Sequence, residues 1–202
     1  MSKPLAVLYL TRRGTKNKEG LELLDLNILS TNKSSSLACV SAVSGQPWAQ
    51  EFLNNNIRQP GSFTPLPEGV YTIGPLEWAS GKVGDFSGSF GSGLGPIWSL
   101  ITPGFKIYNS KGLVVKSYRN ACMSFDFGLH ADWNEDTSPG TAGCVGIQGE
   151  SGPRDLERLK TISHWFMSYD IRALVVNYGL GSTNGDTLFE ILYTMKQFEE
   201  AK

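Results

Sequence analysis

Twenty-three glycines are distributed over 202 residues, and many of them separate short runs of aromatic and β-branched side chains. A chain punctuated this way cannot sustain long helices and instead folds as many short strands joined by many turns. Residues 5–11 (LAVLYLT) form an apolar run of strand length, residues 21–29 (LELLDLNIL) alternate in their second half, and residues 38–43 (ACVSAV) follow. Turn-rich segments at 14–17 and 31–34 separate these three and predict an opening meander. Further strands are predicted over 70–74, 97–101, 105–108, 113–117, 124–130 and 144–147, and a closing strand over 173–178. Residues 80–95 (SGKVGDFSGSFGSGLG) make a glycine- and serine-rich loop, either a flap or a long connection, with Trp78, Phe86, Phe90 and Trp98 around it as flap or core aromatics.

Helical periodicity is confined to the last third of the chain. After Pro153, a first-turn residue, Leu156, Leu159, Ile162 and Phe166 recur at three- and four-residue steps. A C-terminal helix is predicted over 186–202, with Leu188, Ile191, Leu192, Met195 and Phe198 on one side. The expectation is therefore a single mainly-β domain over residues 1–202, with one helix after Cys144 and one at the C-terminus. A hydrophobic content of 40% on this length supports a core without metal or disulfide staples.

Composition excludes several function classes. The formal net charge is −1, and the basic clusters Arg12-Arg13 and Lys16-Asn17-Lys18 are too short to track nucleic-acid phosphates, so no nucleic-acid partner is expected. No stretch approaches the ~20 apolar residues of a membrane helix, so no membrane partner is expected. The apolar run at 5–10 is stopped at once by Thr11-Arg12-Arg13, which argues for a strand rather than an export signal. Synthesis in the cytoplasm is expected on that basis. Three cysteines without knuckle spacing suggest neither a disulfide scaffold nor a zinc site, and no metal or cofactor is expected.

The chemistry-bearing candidates are few. His130 ends an apolar strand, a polar loop follows, and Ser138-Pro139-Gly140-Thr141-Ala142-Gly143-Cys144 leads into the next strand. A histidine ending one strand and a cysteine starting the next can meet at a sheet edge. There they supply a thiol and the base that takes its proton. Gly143 lets the backbone come close, so the amides of Gly143 and Cys144 could face an oxyanion. The competing reading is a buried core thiol beside a loop-anchoring histidine, since free cysteine is among the most buried residue types. Cys39 and Cys122 read as core residues, and His164, on the helix beside Trp165, as a surface group.

The segment from His130 to Ile147 resembles the signature of the L,D-transpeptidase catalytic-domain family: a histidine, a variable loop, then Ser/Thr-x-Gly-Cys. Residues 64–73 (TPLPEGVYTI) are similar to that family's Pro-x-Gly-x-Tyr/Phe-x-Ile segment, in the same order along the chain. The resemblance covers roughly residues 60–150 and implies an L,D-transpeptidase-like β-sandwich or barrel with a catalytic core over about 37–178. It implies Cys144 as nucleophile, His130 as general base, Gly143 and Cys144 as oxyanion amides, and Thr141 in support. The implied partner is the stem peptide of peptidoglycan, cut or joined at a bond after a diamino acid through a Cys144 thioester. Asp132 could orient His130 or serve as a turn residue, and Trp133 could wall the substrate groove. The chain departs from the pattern at Ala142, where many members carry histidine, and at Gly146, where many carry Arg or Asn that would meet a substrate carboxylate. Those departures favour a binding or structural module that keeps the fold, while a thiol transferase acting on a soluble amide or ester shares the dyad and differs from the main reading only in substrate.

Overall fold

The computed structural model describes residues 3–30, 36–52, 63–84, 95–102, 104–108, 114–119, 127–132, 139–148, 157–181, 183 and 190–191. Among the described residues the elements run in the order β1 (Leu5–Lys16), β2 (Glu22–Ser30), β3 (Ala38–Val43), β4 (Gly69–Trp78), β5 (Pro96–Ile101), β6 (Gly104–Tyr108), β7 (Val114–Arg119), β8 (Phe127–Ala131), β9 (Val145–Ile147), α1 (Glu157–Ser168) and β10 (Asp170–Asn177). Eight of the strands close into a barrel in the order β1-β10-β4-β5-β8-β9-β3-β2, while β6 and β7 form a separate antiparallel hairpin. Closure gives every barrel strand two neighbours, so its backbone donors and acceptors are paired on both sides.

The apolar runs become core as their spacing predicts. Ala6, Leu8 and Leu10 of β1, Leu24, Leu26 and Ile28 of β2, and Leu129 and Ala131 of β8 belong to one buried cluster. Leu159, Ile162 and Trp165 of α1 join that cluster, and Phe166 lies flat against Trp98 with ring centroids 4.8 Å apart. The expected meander β1-β2-β3 is present and antiparallel. Two pairings in the barrel are instead parallel, β1 with β10 and β8 with β9.

Several boundaries differ from the sequence-based expectation. Gly14 does not open a turn; β1 continues to Lys16, and the pairing with β2 is irregular between Arg12 and Lys16. Gly14 has a φ of 77°, so its glycine serves a bulge inside the strand, and the turn lies at 17–20, where the Asn17 side chain caps Glu19 and Leu21. β4 runs on to Trp78 through an irregularity after Ile73. Cys39 is exposed rather than core, because it lies on the face of β3 opposite Ala38 and Val40, both packed on the cluster. Trp98 is core, His164 is exposed, and Cys122, Phe86 and Phe90 lie outside the described residues. The predicted C-terminal helix falls almost wholly outside them as well; residues 190–191 are helical. Among the described residues no helix is long and apolar enough to cross a membrane.

One buried acid fastens the end of β10 to the start of β4. Glu68 accepts hydrogen bonds from the backbone N–H groups of Tyr178 (2.7 Å), Leu180 (2.9 Å) and Thr183 (3.1 Å). Burial, with the Glu68 carboxylate second, pushes the Tyr178 phenol far up, so that ring stays neutral. Glu68→Ala would strand three backbone donors at a buried site and is expected to cost about 3 kcal/mol or more, read as a lower urea midpoint with an unchanged slope.

Candidate functional site

His130 and the cysteine loop meet because β8 and β9 lie side by side in parallel. The register pairs Leu129 with Val145, His130 with Gly146 and Ala131 with Ile147. Leu129, Ala131, Val145 and Ile147 point into the core cluster, so alternation puts His130 and Gly146 on the opposite face. On that face one row crosses four strands, from Val43 of β3 through Gly146 and His130 to Ile97 of β5. Cys144 immediately precedes β9, two residues before Gly146. Its Cα therefore stands roughly 8 Å from that of His130, from a ~4.8 Å strand spacing and a ~3.3 Å rise per residue. Side chains of this length reach each other across such a gap. His130 and the start of β9 thus stand on neighbouring, fully paired strands of a closed barrel, rather than at a sheet edge. Since β9 has only three residues, its beginning is still opposite the middle of β8.

Both groups are dry. His130 is 4% exposed and Cys144 7% exposed. The Nδ1 of His130 lies 2.7 Å from the carbonyl oxygen of Ala131. A carbonyl only accepts, so Nδ1 carries the proton and Nε2 keeps its lone pair. Burial drives the imidazole pKa below its usual value, opposed by that hydrogen bond. A neutral ring with a bare Nε2 is the form that removes a proton from a thiol. Cys144 is a thiol and not half of a disulfide.

The loop carrying Cys144 is fitted tightly to the turn after β3. Gly140 has a φ of 88°, and a Cβ there would fall 2.2 Å from the Gly45 carbonyl oxygen. Thr141 donates its N–H to that same oxygen at 3.0 Å, and its hydroxyl accepts the Gly45 N–H at 3.1 Å. The Thr141 hydroxyl then donates to the Cys144 carbonyl at 2.5 Å, and Ser44 Oγ donates to the same carbonyl at 2.7 Å. Gly143 adopts a φ of 102°, a region L side chains rarely enter, and so turns the chain just before the thiol. Asp132, 1% exposed, accepts from the Gly140 N–H at 3.1 Å and from Gln148 Nε2 at 2.7 Å, which ties together the two ends of the loop.

Gly146 has no room for a longer residue: a Cβ would meet the Thr141 methyl at 2.9 Å, the Asp132 Cβ at 3.1 Å and Val43 at 3.5 Å. The space in which Arg or Asn would stand is occupied by the residues that hold the loop. Trp133 lies outside the described residues. Sequence reasoning missed Ser44, Gly45 and Gln148. Ser44 and Gly45 fall in an irregular stretch without periodicity, and their only signal was the Ser-Gly turn pair itself. Among the described residues no three His, Cys, Asp or Glu side chains gather in a way that could hold a metal ion.

Compared with known proteins, the chain matches no family model, no curated protein and no solved structure.

Two glycines with equally short contacts should behave differently. A Cβ on Gly128 would meet the tip of Ile97 at 2.1 Å, and that side chain can swing away. At Gly140 the obstacle is backbone and the φ is left-handed. Gly140→Ala is therefore expected to lower stability by about 2 kcal/mol more than Gly128→Ala in parallel thermal melts.

Proposed function

We propose that this chain is a cysteine acyl-transfer enzyme of the L,D-transpeptidase type, acting on peptidoglycan stem peptides through a Cys144 thioester. The observation that carries the reading is the His130 ring: buried, neutral, its Nδ1 committed to Ala131, and one strand away from the thiol loop. In this mechanism Nε2 of His130 takes the Cys144 proton and the thiolate attacks the amide carbon. The oxyanion is received by the amides of Gly143 and Cys144. Collapse breaks the C–N bond, and the leaving amine collects the proton from His130. The thioester then passes its acyl group to a second amine or to water, with the histidine acting as base again.

The two sequence segments that resemble the family belong to one hydrogen-bonded unit here. Leu66, from the proline-rich segment, donates its N–H to Ser44 Oγ at 2.7 Å, and that same hydroxyl holds the Cys144 carbonyl. Tyr71 of the same segment is fully buried, with its hydroxyl on the Pro67 carbonyl at 2.7 Å. A second reading, a binding or structural module with this barrel, is favoured by Ala142 and by the filled space at Gly146, which leave a substrate carboxylate without a cation at that point.

Digestion of purified stem peptides by wild type and Cys144→Ala, followed by mass spectrometry, separates the two. The enzyme reading expects an acyl adduct on Cys144 and cleaved or cross-linked products from wild type alone. Intact peptides and no adduct would leave the binding module. His130→Ala is expected to lower turnover by about a hundredfold or more. Because burial depresses the His130 pKa, the neutral base persists below the ordinary histidine value. The acid limb of the pH–rate profile is therefore expected below pH ~6.5, activity falling as acid protonates the ring.

A further inference from the structure

Ser44 takes no part in the chemistry above, yet it is fully buried and its hydroxyl grips the nucleophile's own residue. A hydroxyl has one proton to give. Ser44 Oγ accepts the Leu66 N–H at 2.7 Å, so its proton goes to the Cys144 carbonyl at 2.7 Å. Thr141 repeats the pattern: it accepts from Gly45 N–H at 3.1 Å and donates to the same carbonyl. A carbonyl oxygen has two lone pairs, and here each receives a hydroxyl. Rotating the Cys144–Val145 peptide would break two buried hydrogen bonds, and these hold the ψ of Cys144.

The two donors differ in what they are attached to. Thr141 lies three residues before Cys144 in the same loop and reaches the frame only through Gly45. Ser44 directly follows β3, whose Val43 is paired with Gly146 of β9, and Leu66 holds it from the other side. Ser44 therefore refers the cysteine to the barrel frame, where His130 also sits.

We infer that Ser44 is a positioning residue for the Cys144 thiol, acting through the Cys144 carbonyl to hold the sulfur at the His130 ring. This rests on the reading of Cys144 as nucleophile and His130 as its base, and its test needs no substrate. Iodoacetamide alkylation of the full chain is followed against pH, with peptide mapping to read Cys144 apart from Cys39 and Cys122, well below the melting temperature of each variant. Ser44→Ala is expected to slow Cys144 alkylation at neutral pH about five- to tenfold, the equivalent of one hydrogen bond. It should also move the midpoint of the alkylation profile to higher pH. Ser44→Thr, which keeps the hydroxyl, should restore both.

A merely structural serine would give Ser44→Ala a lower melting temperature with an unchanged rate and midpoint, and that result overturns the inference. His130→Ala serves as the reference. If it slows alkylation while Ser44→Ala does not, the positioning role alone fails. If His130→Ala changes nothing, the dyad fails and the inference falls with it. Should Ser44→Ala not fold, Thr141→Val withdraws the other donor from the same carbonyl and must produce the same upward shift; an unmoved midpoint there refutes the clamp.

Discussion

Parallel neighbours cannot be joined by a tight hairpin, and the pairing of β8 with β9 makes the chain leave the end of one strand and return to the beginning of the next. Residues 132–144 are that return. Everything distinctive about the candidate site follows from the need to fasten it. Asp132 and Gly140 draw its ends together, Thr141 docks on Gly45, and the Cys144 carbonyl is received by two hydroxyls. The return also explains why glycine stands at 140, 143 and 146. The first two turn the chain with left-handed backbone, and the third yields its side-chain volume to Thr141 and Asp132.

Burial shapes the electrostatics of the pair. A histidine kept from water loses its preference for the charged form, and the Ala131 carbonyl recovers only part of it. The ring is left neutral with a defined tautomer, which suits a base and makes a poor permanent cation. The hydroxyls around Cys144 act on its backbone instead. The hydroxyls near the thiol serve to hold geometry.

Much of the fold was legible because apolar residues alternate or cluster at strand length, and each strand among the described residues overlaps an anticipated one, with the bounds of β1 and β4 longer than expected. Their partners were not legible. Nothing local in residues 5–11 indicates that β10 lies beside them, since strand pairing is decided by the whole barrel closing. Gly14 misled for an instructive reason: a glycine with positive φ signals a turn or a bulge equally well, and only the pairing distinguishes them. His130 and Cys144 were readable as rare residue types placed around one loop. Ser44, Gly45 and Gln148 were not, because a serine, a glycine and a glutamine carry no chemical signature until the backbone brings them to a particular carbonyl or carboxylate. That position 146 is glycine was visible in the sequence, but the packing of Thr141 and Asp132 against it was not.

The parallel pairing of β1 with β10 has a kinetic consequence. β10 lies between β1 and β4, so strands from the beginning and the middle of the chain wait for one that is made long after both. Until residues 170–177 are synthesised, β1 and β4 each present a bare edge able to pair with another chain. Contacts of such long sequence separation also form slowly. The interval between completion of β9 and insertion of β10 is therefore when this protein is most exposed to misassembly. Sequence changes that weaken the final strand would show first as aggregation during synthesis, before any loss of stability in the finished barrel.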